Sequence, residues 1–248
     1  MKNLLEFVDG APASSLILAA MLVASLLALT RMPEMLERQL FRPYWLTRRN
    51  EYATVVTSAF LHADLAHLAF NAFTFWSFGF GLERAIGTPR FVALYAVGLA
   101  ASSGVTWWRQ RRNPAYASLG ASGAILAVLF ASILYTPTQS IYILPIPLPI
   151  PAPLFALCYL GYTVYASRQD HGRINHDAHW GGAVAGLAFV LLVDPQVVGR
   201  ATGARPRRPR CPPGRCGGRR CLRHADRLAC GGAGAAAGAG LTPDDNRR

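Results

Sequence analysis

Six apolar stretches, none containing an Asp, Glu, Lys or Arg, recur along this 248-residue chain and leave few folds open to it. They cover residues 11–30, 65–82, 91–108, 119–135, 154–166 and 178–193. A helix needs roughly 17–25 apolar residues to cross a bilayer, and most of the six approach that length, the last two being shorter. Within lipid the backbone must satisfy its own hydrogen bonds, which a helix does segment by segment. Over the whole chain 52% of residues are hydrophobic and only 15% charged, against about 25% charged in soluble proteins. The expected fold class is therefore all-α, a polytopic membrane protein with six transmembrane helices. The first stretch reads as a retained helix rather than a cleaved leader, because it is long and because Glu6 and Asp9 spoil a basic start.

Three regions follow from this pattern. Residues 1–13 form a leader, 14–193 the membrane bundle and 194–248 a tail dominated by Arg, Gly, Pro and Ala. The tail holds 12 Arg against 4 Asp, so most of the net charge of +12 lies there. It has no aromatic residue for bases to stack on, which argues against nucleic acid as a partner and leaves attraction to anionic membrane lipid. Four of the five cysteines, Cys211, Cys216, Cys221 and Cys230, also lie there. Their spacing lacks the paired C-x2-C knuckles of a zinc site, and the tail is expected to be disordered. Within the bundle, the first long loop, residues 31–63, is too apolar for a solvated linker and too broken by Pro33 and Pro43 for a span. It is expected to lie in the interface, with Tyr44 and Trp45 at headgroup level. The link Pro145, Pro147, Pro149, Pro151 is expected to be extended, since alternating prolines cannot continue a helix.

In a serpentine bundle the second, fourth and sixth helices begin on the same side. His67 and Asn71 lie near the start of the second, Ser122 near the start of the fourth and His179 near the start of the sixth. Polar groups at membrane depth are costly and are functional candidates by default. Gly120-Ala121-Ser122-Gly123 places a hydroxyl in a glycine-flanked entry turn, where unpaired backbone N–H groups can stabilise an oxyanion. Such a serine needs a base to become nucleophilic, and His179 is the natural candidate. His179, Gly182 and Gly186 share one face of the sixth helix, and Gly123 and Ala127 form a second small pair beside Ser122. Two such faces let helices approach closely. His67 and Asn71, four residues apart, also share a face, and a side-chain amide there can donate to a developing oxyanion. His62 falls off that face and reads as structural, and a metal site of His62, Asp64 and His67 has poor helical geometry. Asp177, two residues before His179, points away from it on a helix.

The set His67-Leu-Ala-Phe-Asn71, Gly120-Ala-Ser-Gly123 and Ala178-His-Trp-Gly-Gly182-Ala-Val-Ala-Gly186, in that order, resembles the rhomboid intramembrane serine proteases. The likeness extends to Thr57-Ser-Ala-Phe-Leu-His62 and to the Pro-rich link, and covers roughly residues 14–193. It implies a six-helix bundle, a Ser–His dyad, and neither metal nor nucleotide cofactor. Ser122 would be the nucleophile and His179 the general base. His67, Asn71 and the Ser122 N–H would line the oxyanion hole. The substrate would be a membrane-anchored protein cut within or near its transmembrane segment, and the location a membrane, the cell inner membrane if the source is bacterial. Two positions depart from the family. Ala53-Thr54 stands where Trp-Arg is usual, and Leu126, four residues after Ser122, where an aromatic ring commonly stacks on the imidazole. The alternative is a weak or inactive relative that binds transmembrane helices without cutting them. Ten Arg on the site's side against Lys2, Arg84 and Arg90 opposite would turn the site inward by the positive-inside rule. That count leaves out the tail, whose 12 Arg reverse it to ten against fifteen; the resemblance turns the site outward, and outward is the expectation.

Overall fold

The computed structural model describes residues 10–143, 146–168 and 175–201. Residues 202–248 of the tail, with the cysteines at 211–230, lie outside the described residues, as do residues 1–9 of the leader. Residues 194–201, expected to share the disorder of the tail, are instead ordered: Val197–Ala201 is helical and Val197 is buried, its apolar side chain joining the core. A helix forms at each of the six apolar stretches: α1 Pro12–Thr30, α4 Leu65–Ile86, α5 Thr88–Gln110, α6 Ser122–Tyr135, α7 Ala152–Ala166 and α8 His176–Val193. Shorter pieces, α2 Pro33–Arg38 and α3 Thr54–Thr57, break up the first long loop, and α9 Val197–Ala201 follows α8. By length and composition α1, α5 and α8 can cross a membrane; α6 and α7 are apolar but shorter.

Where a helix stops is decided by backbone chemistry more than by charge. α4 runs past residue 82, through Glu83 and Arg84, and ends at Gly87. Gly87 has φ +82°, a left-handed conformation that glycine adopts without the Cβ penalty. The same residue precedes α5, whose Pro89 falls in the first turn, where a missing N–H costs nothing. At the other end, the Asp64 carboxylate caps α4 by accepting the His67 N–H at 2.8 Å.

The start of α1 has no side-chain cap of its own. Glu83 supplies one from α4: its carboxylate accepts the N–H groups of Ala13 at 3.0 Å and Ser14 at 2.7 Å, and the Thr88 hydroxyl at 2.8 Å. Glu83 is buried, and these three donors, with the positive end of the α1 dipole, are what make a carboxylate tolerable there. A charged residue inside an apolar helix thus serves as a clamp between two helices.

α6 is the central element. Every residue from Gly123 to Ile133 is buried, and α4, α5, α7 and α8 pack around it. A helix apolar on all faces is one surrounded on all faces. The Pro-rich link forms β2, Ile146–Pro151, paired antiparallel with β1, Ser140–Ile143. Extended backbone was expected; the partner strand was not. Prolines at 149 and 151 alternate in the regular part of the strand, so their missing N–H groups fall on one edge. The Ala152 N–H donates to the Gln139 carbonyl at 3.0 Å, which with Ser140 opposite Pro151 and Tyr142 opposite Pro149 puts those two prolines on the free edge, while Pro147 falls where the register slips between Tyr142 and Ile143.

The long first loop braces the turn before α6. Phe41 and Ser118 exchange N–H···O bonds at 3.0 Å each, and the Gly120 N–H donates to the Ser58 carbonyl at 3.0 Å. The Trp45 indole N–H donates to the Pro114 carbonyl at 3.3 Å. Arg48 and Arg49 lie over the rings of Tyr44 and Trp45, each 3.9 Å from the ring centroid.

Candidate active site

Ser122 is the first residue of α6. Ala121 precedes it in a helical conformation, and Gly120 before that has φ +118°. A Cβ at Gly120 would also stand 2.8 Å from Cε1 and 3.0 Å from Nε2 of His67. Glycine is therefore required twice at that position, for the backbone angle and for the approach of an imidazole. The turn leaves the N–H groups at the start of α6 without intrahelical partners.

The α6–α8 seam is a backbone contact. A Cβ on Gly182 would overlap the Gly123 carbonyl, and one on Gly186 would overlap Ala127. Gly123 in turn sits against the Ser102 side chain of α5. With no side chains between them, the two helices bring Ser122 Oγ and His179 Nε2 to 2.8 Å. The start of α8 is fixed by Asn175, whose side-chain oxygen accepts the Ala178 N–H at 3.0 Å and whose amide donates to Thr106 Oγ1 at 3.0 Å.

His67, Asn71, Ser122 and His179 line one cavity of about 1170 Å³. Asn71 is buried, and its amide donates to the His67 carbonyl at 3.1 Å, so one of its two N–H bonds is taken by its own helix. His62 lies behind His67, ring centroids 4.9 Å apart. Its Nδ1 is 2.9 Å from Ser25 Oγ, and that hydroxyl donates to the Phe60 carbonyl. Burial, reinforced by His67, pushes the His62 imidazole down to about 3. Asp177 is engaged by Arg109 at 3.5 Å, not by His179. Among the described residues no group of three or more His, Cys, Asp or Glu could hold a metal ion.

One residue that reasoning from the sequence passed over is Tyr159, on α7. Its hydroxyl is 2.9 Å from His179 Nδ1, and its ring lies 6.4 Å from the imidazole with 26° between planes. A tyrosine within an apolar helix carries a polar tip that seeks a partner, and that was the signal available. Leu126, on α6, is buried beside these groups but offers no ring.

Residues 49–196 match the rhomboid domain. The chain is 28% identical over 156 residues to rhomboid protein 1, mitochondrial, of Saccharomyces cerevisiae, covering 60% of this chain and 45% of that one. It is 30% identical over 158 residues to RHOMBOID-like protein 12, mitochondrial, of Arabidopsis thaliana, covering 56% and 46%. Against the human presenilin-associated rhomboid-like protein, mitochondrial, it is 30% identical over 138 residues, covering 55% and 36%. The chain thus spans less than half the length of these relatives. Their names are mitochondrial, and they lend no support to a bacterial inner membrane. The match takes in both partners of the 2.8 Å contact, and the chain belongs to the rhomboid family.

Proposed function

We propose that this chain is an intramembrane serine endopeptidase that cuts single-span membrane proteins within or near their transmembrane segment. The observation that carries the reading is the 2.8 Å contact between Ser122 Oγ and His179 Nε2 on the wall of a large cavity. His179 takes the hydroxyl proton as Oγ bonds to the scissile carbonyl carbon. The oxyanion is met by the Ser122 N–H, by His67 and by the second N–H of Asn71. Collapse breaks the C–N bond, and the proton on Nε2 passes to the leaving amine. Water then enters, is deprotonated by His179, and releases the acyl group from Ser122.

All six long helices cross the bilayer in this reading. α6 has 14 residues and is ~21 Å long, about 9 Å short of a 30 Å hydrocarbon core. With its far end near one interface, Ser122 at its start lies below the other, and the cavity is the route for water.

The competing reading, a helix-binding protein without turnover, draws on the Asn71 amide being turned back onto its own helix. A fluorophosphonate probe separates the two. Labelling of wild type that disappears in Ser122→Ala supports the protease. In lipid, Ser122→Ala and His179→Ala should each lower cleavage of a single-span substrate by about 10⁴-fold or more. Cleavage that persists in Ser122→Ala removes the proposed nucleophile.

A further inference from the structure

His179 is held from two sides, and only one of them is Ser122. We infer that Tyr159 is the positioning residue of the catalytic base, taking the place of an acidic third member; this rests on the dyad reading above. For the Ser122 hydroxyl to donate to Nε2, the proton of the neutral imidazole must sit on Nδ1. That N–H needs an acceptor, and the Tyr159 oxygen is at 2.9 Å. Asp177, the carboxylate nearest in sequence, is committed to Arg109.

The phenol ring also sets the plane of the imidazole, with 26° between them. It is itself braced, by Phe155 at 5.5 Å and 26° and by Phe130 at 5.9 Å and 53°. Position 126, four residues after the nucleophile, is an aliphatic leucine packed in the same cluster. The aromatic support therefore comes from α7 rather than from the helix that carries the nucleophile. A phenol differs from a carboxylate in bringing no charge into an apolar site. When the imidazole becomes doubly protonated, Nδ1–H stays on the Tyr159 oxygen, and tyrosine keeps its own proton throughout.

The test compares wild type, Tyr159→Phe and Tyr159→Leu in lipid, with kcat and KM for a single-span substrate, the rate of fluorophosphonate labelling, and ¹⁵N NMR of the His179 ring. Phenylalanine keeps the packing against Phe155 and Phe130 and removes only the acceptor. Tyr159→Phe should lower kcat and the labelling rate roughly tenfold with KM unchanged, and Tyr159→Leu roughly a hundredfold. In wild type the ring proton should reside on Nδ1, and its exchange with water should quicken in Tyr159→Phe. Wild-type labelling with an unaffected Tyr159→Phe leaves the dyad standing and overturns the role of Tyr159. Absence of labelling in wild type overturns the dyad instead, and the NMR still decides for Tyr159: a proton found on Nε2 with Nδ1 bare overturns it.

Discussion

His179 faces Ser122 across a seam of glycines and faces Tyr159 through a long side chain, and the two contacts are built on opposite principles. At the α6–α8 seam, Gly182 and Gly186 bring backbone against backbone, so no atom in the contact can rotate out of the way. At the α7–α8 contact, the phenol reaches across from a helix whose own residues are largely accessible. A backbone contact fixes distance rigidly and tolerates no addition. A side-chain contact can be rebuilt by another residue from another helix, and at Leu126 the chain shows a position where the family's usual ring is absent. The spacing of Ser122 and His179 therefore has one solution here, whereas the support of the imidazole has several.

The strongest way to break this contrast is Gly182→Val. Its Cβ has no space beside the Gly123 carbonyl, and overpacking of this kind costs about 3 kcal/mol or more. It should abolish cleavage and lower the midpoint of detergent-induced unfolding, and a folded, active Gly182→Val would refute a rigid seam. An exchange sharpens the other half of the comparison. In Tyr159→Leu, adding Leu126→Tyr should recover about tenfold of the lost kcat, since the ring is offered again from α6; no recovery would mean that the base can be supported only from α7.

A separate effect concerns pH and the ring behind His67. His62 is depressed to about 3 in the folded chain against roughly 6.5 unfolded. Between those values the unfolded state binds the extra proton, so stability is complete above about 6.5 and falls as pH drops toward 3. His62→Asn should flatten that slope in unfolding measured from pH 7 to 4. An unchanged slope would assign the acid sensitivity to another group.

Much of the bundle was legible before any coordinates, because apolar runs and helix punctuation are local. The six stretches become helices to within a few residues, except that α4 continues past residue 82 to Ile86. Charge at Glu83 and Arg84 does not end the helix; it ends where its backbone turns, at Gly87. The fourth helix begins at Ser122, three residues into its apolar stretch, for the same reason: Gly120 has a positive φ that no helix continues. The prolines declared an extended link, but its pairing with residues 140–143 depends on a segment without a strong pattern of its own.

The sequence by itself determined where helices form, which polar residues sit near their starts and on which faces the small residues lie, since charge, glycine and the 3.6-residue period act within a single segment. Only the tertiary structure decided what those residues touch. Glu83 proved to cap a helix some 70 residues away in sequence, Asn71 to bond its own helix, and Tyr159 to meet His179. Such meetings depend on the depth, rotation and crossing of separate helices, quantities set by packing across the bundle and carried by no one stretch of chain.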